Sequence, residues 1–531
     1  MLERSLVLPH RIIQLAEERG DTQAIVDVTG PSLTWAELRD QFQLWAGALR
    51  AQHVQPGESV VTMLPNSFEA YLAWLGAAWI GALEVPANNM YRGETLRYLV
   101  ANSEARVLVI AERFVGRLQL VADSLDRLEV VIVPDASGDL PDLPFKVVRG
   151  DEFLSAPPAT DVPGPDYYDV AAMIYTSGTT GPSKGVLVPW GELHQSPAML
   201  PPELIGPGTP YYAIYPAFHL SGKIALYNAA IAGAYMLVRE AFSVTEFWND
   251  IRTFNVTGAG VVGPMAAILM AMPPQPDDAD NPLERVMMGP IIADIEAFKT
   301  RFGVKHVCTG FGMTEIGFPL FSGWDPPNPR TCGRRRPGPP HYEVRVVDEH
   351  DEDVPTGTIG ELVVRARDPW VMNAGYWRLP EQTATSWRNG WFHTGDLFTE
   401  DADGWFYFVD RKKDALRRRG ENISSFEVEA GITAHADVVE CAVLGVPSNL
   451  GEDDVLAVVV RAPESTLTEQ ALLEWLVPRM PRFMLPRYIQ FMPALPKTDG
   501  TFRVQKFRLR EDGVTGETWD REAAGFVVPR D

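Results

Sequence analysis

Apolar positions along the first part of the chain repeat at two different periods. Thr34-Trp35-Ala36-Glu37 reads as a capping box, the Thr hydroxyl and Glu carboxylate each satisfying an N–H at a helix start. Leu38, Phe42, Trp45 and Leu49 follow at helical spacing and predict an amphipathic helix. The longest apolar stretch, Ala70 to Leu83, falls short of the ~20 residues that a membrane span needs and predicts a buried helix. Short apolar runs then punctuate the chain: RVLVI (106–110), VVIV (130–133), VAAMIY (170–175), YYAIY (211–215), AYMLV (234–238) and GAGVV (258–262). Helical patterns lie between several of them, which predicts α/β architecture with largely parallel sheets. Pro- and Asp-rich connectors beginning at residues 134, 155 and 272 read as surface loops.

The texture changes after about residue 340. YEVRVVDEHDEDVPTGTIGELVVRA alternates and carries turn signals, so antiparallel strands are expected there. From about residue 415, VVECAVLGV, VLAVVVR and the helical TEQALLEWL describe a small α+β domain. The expected division is an N-terminal domain over 1–412 and a C-terminal domain over 413–531. The large domain would hold layered α/β subdomains plus a small β-rich subdomain; the small one would be mobile.

Composition narrows the function. A chain of 531 residues with formal net charge −23 lacks the broad basic face of a sequence-independent nucleic-acid binder. Anionic ligands would have to be met by local basic clusters, Arg334-Arg335-Arg336 and Arg411 to Arg419. Three cysteines, Cys308, Cys332 and Cys441, match neither a zinc site nor a disulfide framework. Together with an N-terminus that does not read as a signal peptide, they lead us to expect a cytoplasmic protein.

The densest chemistry lies in YTSGTTGPSKG, Tyr175 to Gly185. Backbone N–H groups freed by glycine can wrap an anion, hydroxyls add donors, and Lys184 adds a mobile charge. The expectation is a polyphosphate cradle. It is not the standard G-x-x-x-x-G-K-[ST] loop: counting from Gly178, the second glycine falls on Ser183, and Gly185 follows Lys184.

Thr176–Gly185 resembles the phosphate loop T-S-G-[ST]-T-G-x-P-K-G of the adenylate-forming (AMP-binding) enzymes, on the acyl-CoA synthetase branch, with Pro182-Ser183 in place of a variable residue and proline. The resemblance spans nearly the whole chain. It implies that Thr176, Ser177, Gly178, Thr179, Thr180 and Lys184 bind nucleotide phosphates. TGFGMTEIG (309–317) is similar to the family's aromatic-Gly-x-Thr-Glu motif. There Phe311 would stack on adenine, Thr314 would bond the α-phosphate, and Glu315 would ligate Mg²⁺, a hard cation suited to oxygen. MMGPI (287–291), with Gly289, looks like the loop on the other face of the base. WFHTGDLF (391–398) matches the family's Thr-Gly-Asp signature. Asp396 would accept the ribose hydroxyls, as an ionised carboxylate only accepts, and Arg411 would join it.

YPAFHLSG (215–222) is similar to the segment near the acyl pocket, where His219 would gate or line the carboxylate site or else serve as a core histidine. RKKDALRRRGENISSFEVE (411–429) looks like the hinge segment, with Lys413 as hinge and Arg417 to Gly420 approaching a thiol tunnel. The family ends in P-K-T-x-x-G-K, whereas this chain reads LPKTDGTFRVQKFRLR. The lysine slot is Phe502, or Arg503 with one inserted residue, and Lys506 is the nearest lysine.

The reaction these motifs imply uses ATP, Mg²⁺ and CoA: a hydrophobic carboxylic acid is activated as acyl-AMP with release of pyrophosphate, then passed to CoA. Room is left for a homodimer. Alternatives are a catalytically weak nucleotide-binding homologue, an adenylating enzyme with a non-CoA acceptor, a peptide-synthetase adenylation unit and a luciferase-like oxygenase. The chain ends soon after the last motif, which argues against the peptide-synthetase unit.

Overall fold

The computed structural model of the chain describes residues 2–176, 183–292, 294–411, 416–418, 421–423, 425–448, 451–496, 504 and 506–529. Of these, the side chains of Pro264, Asp410, Arg411, Arg417, Asn422, Phe426 and Phe507 are left aside.

The first predicted helix forms over Trp35–Ala51. Its capping box is present: Glu37 N–H donates to Thr34 Oγ1 at 3.2 Å, and Thr34 N–H donates to Glu37 Oε2 at 2.8 Å. Leu38, Phe42, Trp45 and Leu49 are its buried face. The next helix, Phe68–Trp79, is buried at every residue from Ala70 onward, which is why its sequence is apolar on all sides. Both precede or accompany a five-stranded parallel sheet in the order Leu83–Pro86, Ser59–Met63, Val107–Ile110, Val130–Val133, Lys146–Arg149.

A second sheet has thirteen strands among the described residues. Six neighbours run parallel: Gln23–Asp27, Tyr235–Val238, Pro210–Ala213, Gly258–Val262, Arg285–Gly289 and His306–Met313. Beyond His306–Met313 the pairing turns antiparallel, through Gly317–Trp324, Thr331–Arg335, Phe406–Arg411, Phe392–Glu400, Gly360–Ala366 and Tyr342–Val347. The antiparallel block predicted after residue 340 is therefore the flank of a continuous sheet. The turn carrying Thr314 and Glu315 falls at the switch from parallel to antiparallel pairing, at the carboxyl end of a parallel strand, where open α/β sheets bind ligands.

One strand departs from expectation. VAAMIY does not enter a parallel sheet; Val170–Thr176 pairs antiparallel with Lys184–Pro189 in a two-stranded ribbon. Ala171 to Ile174 are buried, and a short unbroken apolar run reads the same for any strand covered on both faces.

Between the first sheet and the helix Leu220–Ala232, Lys223 and Glu84 form an ion pair at 2.5 Å with side chains 1% and 2% exposed. Thr62 donates to Glu84 at 3.0 Å, and the Lys223 ammonium lies 4.5 Å from the Trp74 ring centroid. Burial pushes the Glu84 carboxyl up and the Lys223 ammonium down, each opposed by its partner.

The C-terminal unit is α+β as expected. Its strands order as Val438–Pro447, Asp453–Arg461, Tyr488–Phe491, Trp519–Asp520. The helices Ser425–Thr433 and Glu469–Leu476 cover the sheet with a core of Val443, Val455, Leu472, Leu476 and Ile489. Met90 and Tyr91 of the large domain pack against this core, and Arg92 donates to the Val477 carbonyl at 3.4 Å.

Candidate active site

The site is built as a relay of contacts that starts at the phosphate-loop ribbon. Thr176 and Lys184 are cross-strand partners at the open end of the ribbon, so the two ends of the loop are held together. Ser177, Gly178, Thr179 and Thr180 lie outside the described residues. Gly185 answers to packing: a Cβ there would lie 2.7 Å from Met173 Sδ and 3.2 Å from Trp377 Cβ.

The Lys184 ammonium lies 4.8 Å from the Tyr376 ring centroid. The Tyr376 hydroxyl donates to Glu315 Oε1 at 3.2 Å. Tyr376 is fixed by its neighbours, since Leu187 N–H donates to Gly375 O at 3.0 Å and Trp377 N–H to Gly185 O at 2.7 Å. Burial, then the Glu315 charge, raises the phenol's pKa.

Glu315 is buried at 7% exposure, and Thr314 beside it is partly buried. A second carboxyl, Glu192, backs the same turn. Its Oε1 accepts from Gly317 N–H at 3.0 Å, and its Oε2 has no hydrogen-bond partner among the described residues. Burial and the nearby Glu315 charge push the Glu192 carboxyl well up, against the pull of the Gly317 N–H.

From this turn the strand runs back to Phe311, whose ring meets Phe398 edge to face at 4.9 Å. Two residues before Phe398 stands Asp396, 3% exposed, with its N–H donating to Thr394 Oγ1 at 3.1 Å. Asp396 and Arg411 are cross-strand partners. Gly289 ends the strand beside His306–Met313. The relay thus joins Lys184, Glu315, Phe311 and Asp396, residues drawn from three separate motifs.

Other predicted residues have different surroundings. His219 precedes the helix Leu220–Ala232 and lies 3.1 Å from Glu421 Oε2 on the small domain. Glu421 belongs to the hairpin Leu416–Arg418/Glu421–Ile423, so this hairpin faces the large domain. Arg417 is described only as a strand residue of that hairpin, and Lys413, Gly420, Phe502 and Arg503 lie outside the described residues. Arg418 turns inward: it pairs with Asp454 at 3.1 Å and donates to the carbonyls of Phe483 and Leu485. Lys506 is engaged within the small domain, 2.6 Å from Glu429 Oε1 and 2.8 Å from Ser425 Oγ. Arg334-Arg335-Arg336 is taken up by the fold rather than by an anion site. Arg334 covers Trp405, Arg335 forks onto Glu400, and buried Arg336 donates to Gln195 O at 2.9 Å.

Tyr376 and Glu192 were not singled out by sequence reasoning. Tyr376 follows Gly375, held at φ 110°, in a segment without periodicity; Glu192 lies in a short helix after the ribbon. Among the described residues no group of three or more His, Cys, Asp or Glu gathers as a metal site. One carboxylate from Glu315 with Glu192 close behind suits Mg²⁺, which takes one or two carboxylates and fills its shell with substrate phosphates and water.

The match to the AMP-binding enzyme family model over residues 13–377, with the AMP-binding enzyme C-terminal domain over 427–500, places the class: the chain belongs to the AMP-binding, adenylate-forming enzymes. Among curated relatives, the crotonobetaine/carnitine–CoA ligase of Citrobacter koseri is 28% identical over 496 residues, covering 91% of this chain and 95% of that protein. Among solved structures, the amide bond synthetase McbA from Marinactinospora thermotolerans superposes with TM-score 0.78 at 25% identity, over 95% of this chain and 99% of McbA. A double mutant of o-succinylbenzoate CoA synthetase (MenE) from Bacillus subtilis gives TM-score 0.80 at 21% identity, over 95% and 98%; that likeness concerns the fold. The expected α/β fold with a large N-terminal and a small C-terminal domain is borne out. No described helix is long and apolar enough to cross a membrane.

Proposed function

We propose that this chain is an ATP-dependent acyl-CoA synthetase that activates a hydrophobic carboxylic acid as its acyl-adenylate and transfers the acyl group to CoA. The observation that carries the reading is the relay from Lys184 through Tyr376 to Glu315 and from Phe311 through Phe398 to Asp396. On this reading the phosphates lie toward Lys184 and the ribose toward Asp396.

A carboxylate is a poor nucleophile, so the work is alignment and charge neutralisation. The substrate carboxylate attacks the α-phosphorus and pyrophosphate leaves in line. Lys184 neutralises the departing phosphates, and Thr314 donates to an α-phosphate oxygen. Glu315, with Glu192 behind it, would hold Mg²⁺, which supplies positive charge to the phosphates. Asp396 accepts the ribose hydroxyls, and Phe311 and Gly289 flank the base. The small domain then turns about Lys413 from a boundary after residue 412, and the His219–Glu421 contact belongs to the arrangement that admits the thiol. A cavity of about 370 Å³ on the small domain, lined by Glu421, Arg482 and Arg521 and bordered by Met90 of the large domain, would receive CoA. Phe218 to Gly222, Val261 to Met265 and Ile291 to Phe318 would line the acid pocket, and the apolar majority of these stretches supports a hydrophobic acid.

Two observations favour narrower variants. The curated relatives are named for crotonobetaine and carnitine, which supports including betaine-type acids. The likeness to McbA supports an amine in place of the thiol as acceptor. ATP–pyrophosphate exchange across fatty, aromatic, alicyclic and betaine acids, followed by product analysis with CoA or an amine, separates them. Exchange with a hydrophobic acid and a CoA thioester are expected; ATP binding without exchange for any acid would leave a nucleotide-binding homologue.

A further inference from the structure

Tyr215 and Asn228 are two polar side chains that the chemistry above leaves unused. Tyr215 lies two residues beyond the strand Pro210–Ala213, in a tight turn where its N–H donates to Ala213 O at 2.9 Å. Its hydroxyl rests over Gly260: a Cβ there would meet that oxygen at 2.7 Å, so glycine is what leaves the phenol its place. Gly260 pairs with Met287, and Met287 with Cys308, in one row across the parallel strands. Burial, then the nearness of Tyr211 and Cys308, pushes the Tyr215 phenol's pKa up, and its hydroxyl makes no hydrogen bond to a described residue. Asn228 lies on the helix Leu220–Ala232 and is 3% exposed. Its side chain is hydrogen-bonded to the Tyr211 hydroxyl, while its Oδ1 has no partner among the described residues. Ser221, Ala225 and Asn228 share one helix face at i, i+4 and i+7, a face that starts in the acid-lining stretch Phe218 to Gly222. Gly260 adjoins the second such stretch, and Cys308 lies within the third.

Resting on the acid-activating reading above, we infer that Tyr215 and Asn228 determine specificity as a polar floor to the acid pocket, selecting hydrophobic acids with a hydroxyl at the end away from the carboxylate. Burying a donor or an acceptor without a partner is costly, and protein interiors pair nearly all of them. Here the Tyr215 O–H is a donor and Asn228 Oδ1 an acceptor. A substrate hydroxyl both accepts and donates, so it can serve the two together; a methyl group of the same size serves neither. Discrimination of this kind is stronger than apolar fit alone provides, because the wrong acid leaves the protein's own polar groups unpaired. The stretches that line the rest of the pocket are mostly apolar, which keeps the body of the acid hydrophobic.

The test is ATP–pyrophosphate exchange by the full chain with acids paired in shape: 4-hydroxyphenylacetic against 4-methylphenylacetic, 6-hydroxyhexanoic against heptanoic, and 10-hydroxydecanoic against undecanoic. The readout is the ratio of kcat/KM within each pair, for wild type, Tyr215→Phe and Asn228→Leu. Each ratio compares two acids on one enzyme, so a variant that folds less well loses activity without losing selectivity. Wild type should favour the hydroxy acid of the pair that best reaches the floor by about tenfold, the scale of one net hydrogen bond. Tyr215→Phe and Asn228→Leu should each abolish that preference. A preference unchanged in Tyr215→Phe, or a wild type that favours the methyl acid of every pair or uses none of them while exchanging with other acids, overturns the polar floor and leaves acid activation standing. Exchange with no acid of any kind overturns the activating reading and the floor with it.

Discussion

The hydroxyl of Tyr376 donates to Glu315 at 3.2 Å while its ring carries the Lys184 ammonium 4.8 Å from the centroid. One phenol therefore ties the phosphate lysine to the acidic residue of a motif 131 positions later (315 − 184). If Glu315 supplies the site's fixed negative charge, Glu315→Gln should lower ATP–pyrophosphate exchange by about 100-fold or more, the scale of losing one electrostatic element of an active site. Tyr376→Phe removes one hydrogen bond to a carboxylate and should lower it by about tenfold. Equal losses in both variants would mean that Tyr376 contacts substrate itself.

Asp396 should act on nucleotide binding. Asp396→Ala removes the acceptor for the ribose hydroxyls, so the Kd for ATP should rise by about 10- to 100-fold, as hydrogen bonds to a charged group are worth about 1.5–3 kcal/mol. The KM for the acid should change far less. Isothermal titration with ATP, alongside acid-dependent kinetics, reads both.

The candidate nucleotide site was legible in the sequence as a proposal because its motifs are compact. The Thr176–Gly185 loop, the Thr314-Glu315 turn and Asp396 each carry several unusual residues within a few positions. What was not legible depends on contacts across long sequence distances. Tyr376 gains its role from a ribbon almost two hundred residues earlier, and nothing local distinguishes it from a loop aromatic. Arg418 reads as a free cation in a basic run, yet Asp454 and two carbonyls draw it into the small domain. The apolar run at 170–175 fixed a strand but not its partner, because burial on both faces erases alternation.

His194 should give the fold a measurable acid sensitivity. Burial, then the Arg336 charge, lowers its pKa from 6.5 to about 4. Between those values the unfolded chain binds one proton more than the folded one. Stability is therefore full above about pH 6.5 and falls toward pH 4, by about 1.4 kcal/mol per pH unit at most. Urea midpoints at pH 7, 6 and 5 should fall less steeply in His194→Gln than in wild type. Parallel slopes would contradict the assignment.

The Lys223–Glu84 pair is a stability element outside the chemistry. Lys223→Met leaves a buried carboxylate unpaired and should cost about 3–5 kcal/mol. Lys223→Met/Glu84→Leu should recover much of that loss, because both charges are then gone. Chemical denaturation of both variants and of Glu84→Leu gives the coupling.

The claim on which the account turns is that one nucleotide spans Lys184, Glu315, Phe311 and Asp396. A crystal structure with a non-hydrolysable acyl-adenylate analogue tests it most directly. The account predicts the ribose hydroxyls on the Asp396 carboxylate, the base against Phe311 and the phosphate beside Thr314. An analogue bound elsewhere, with Asp396 and Phe311 out of contact, would contradict it.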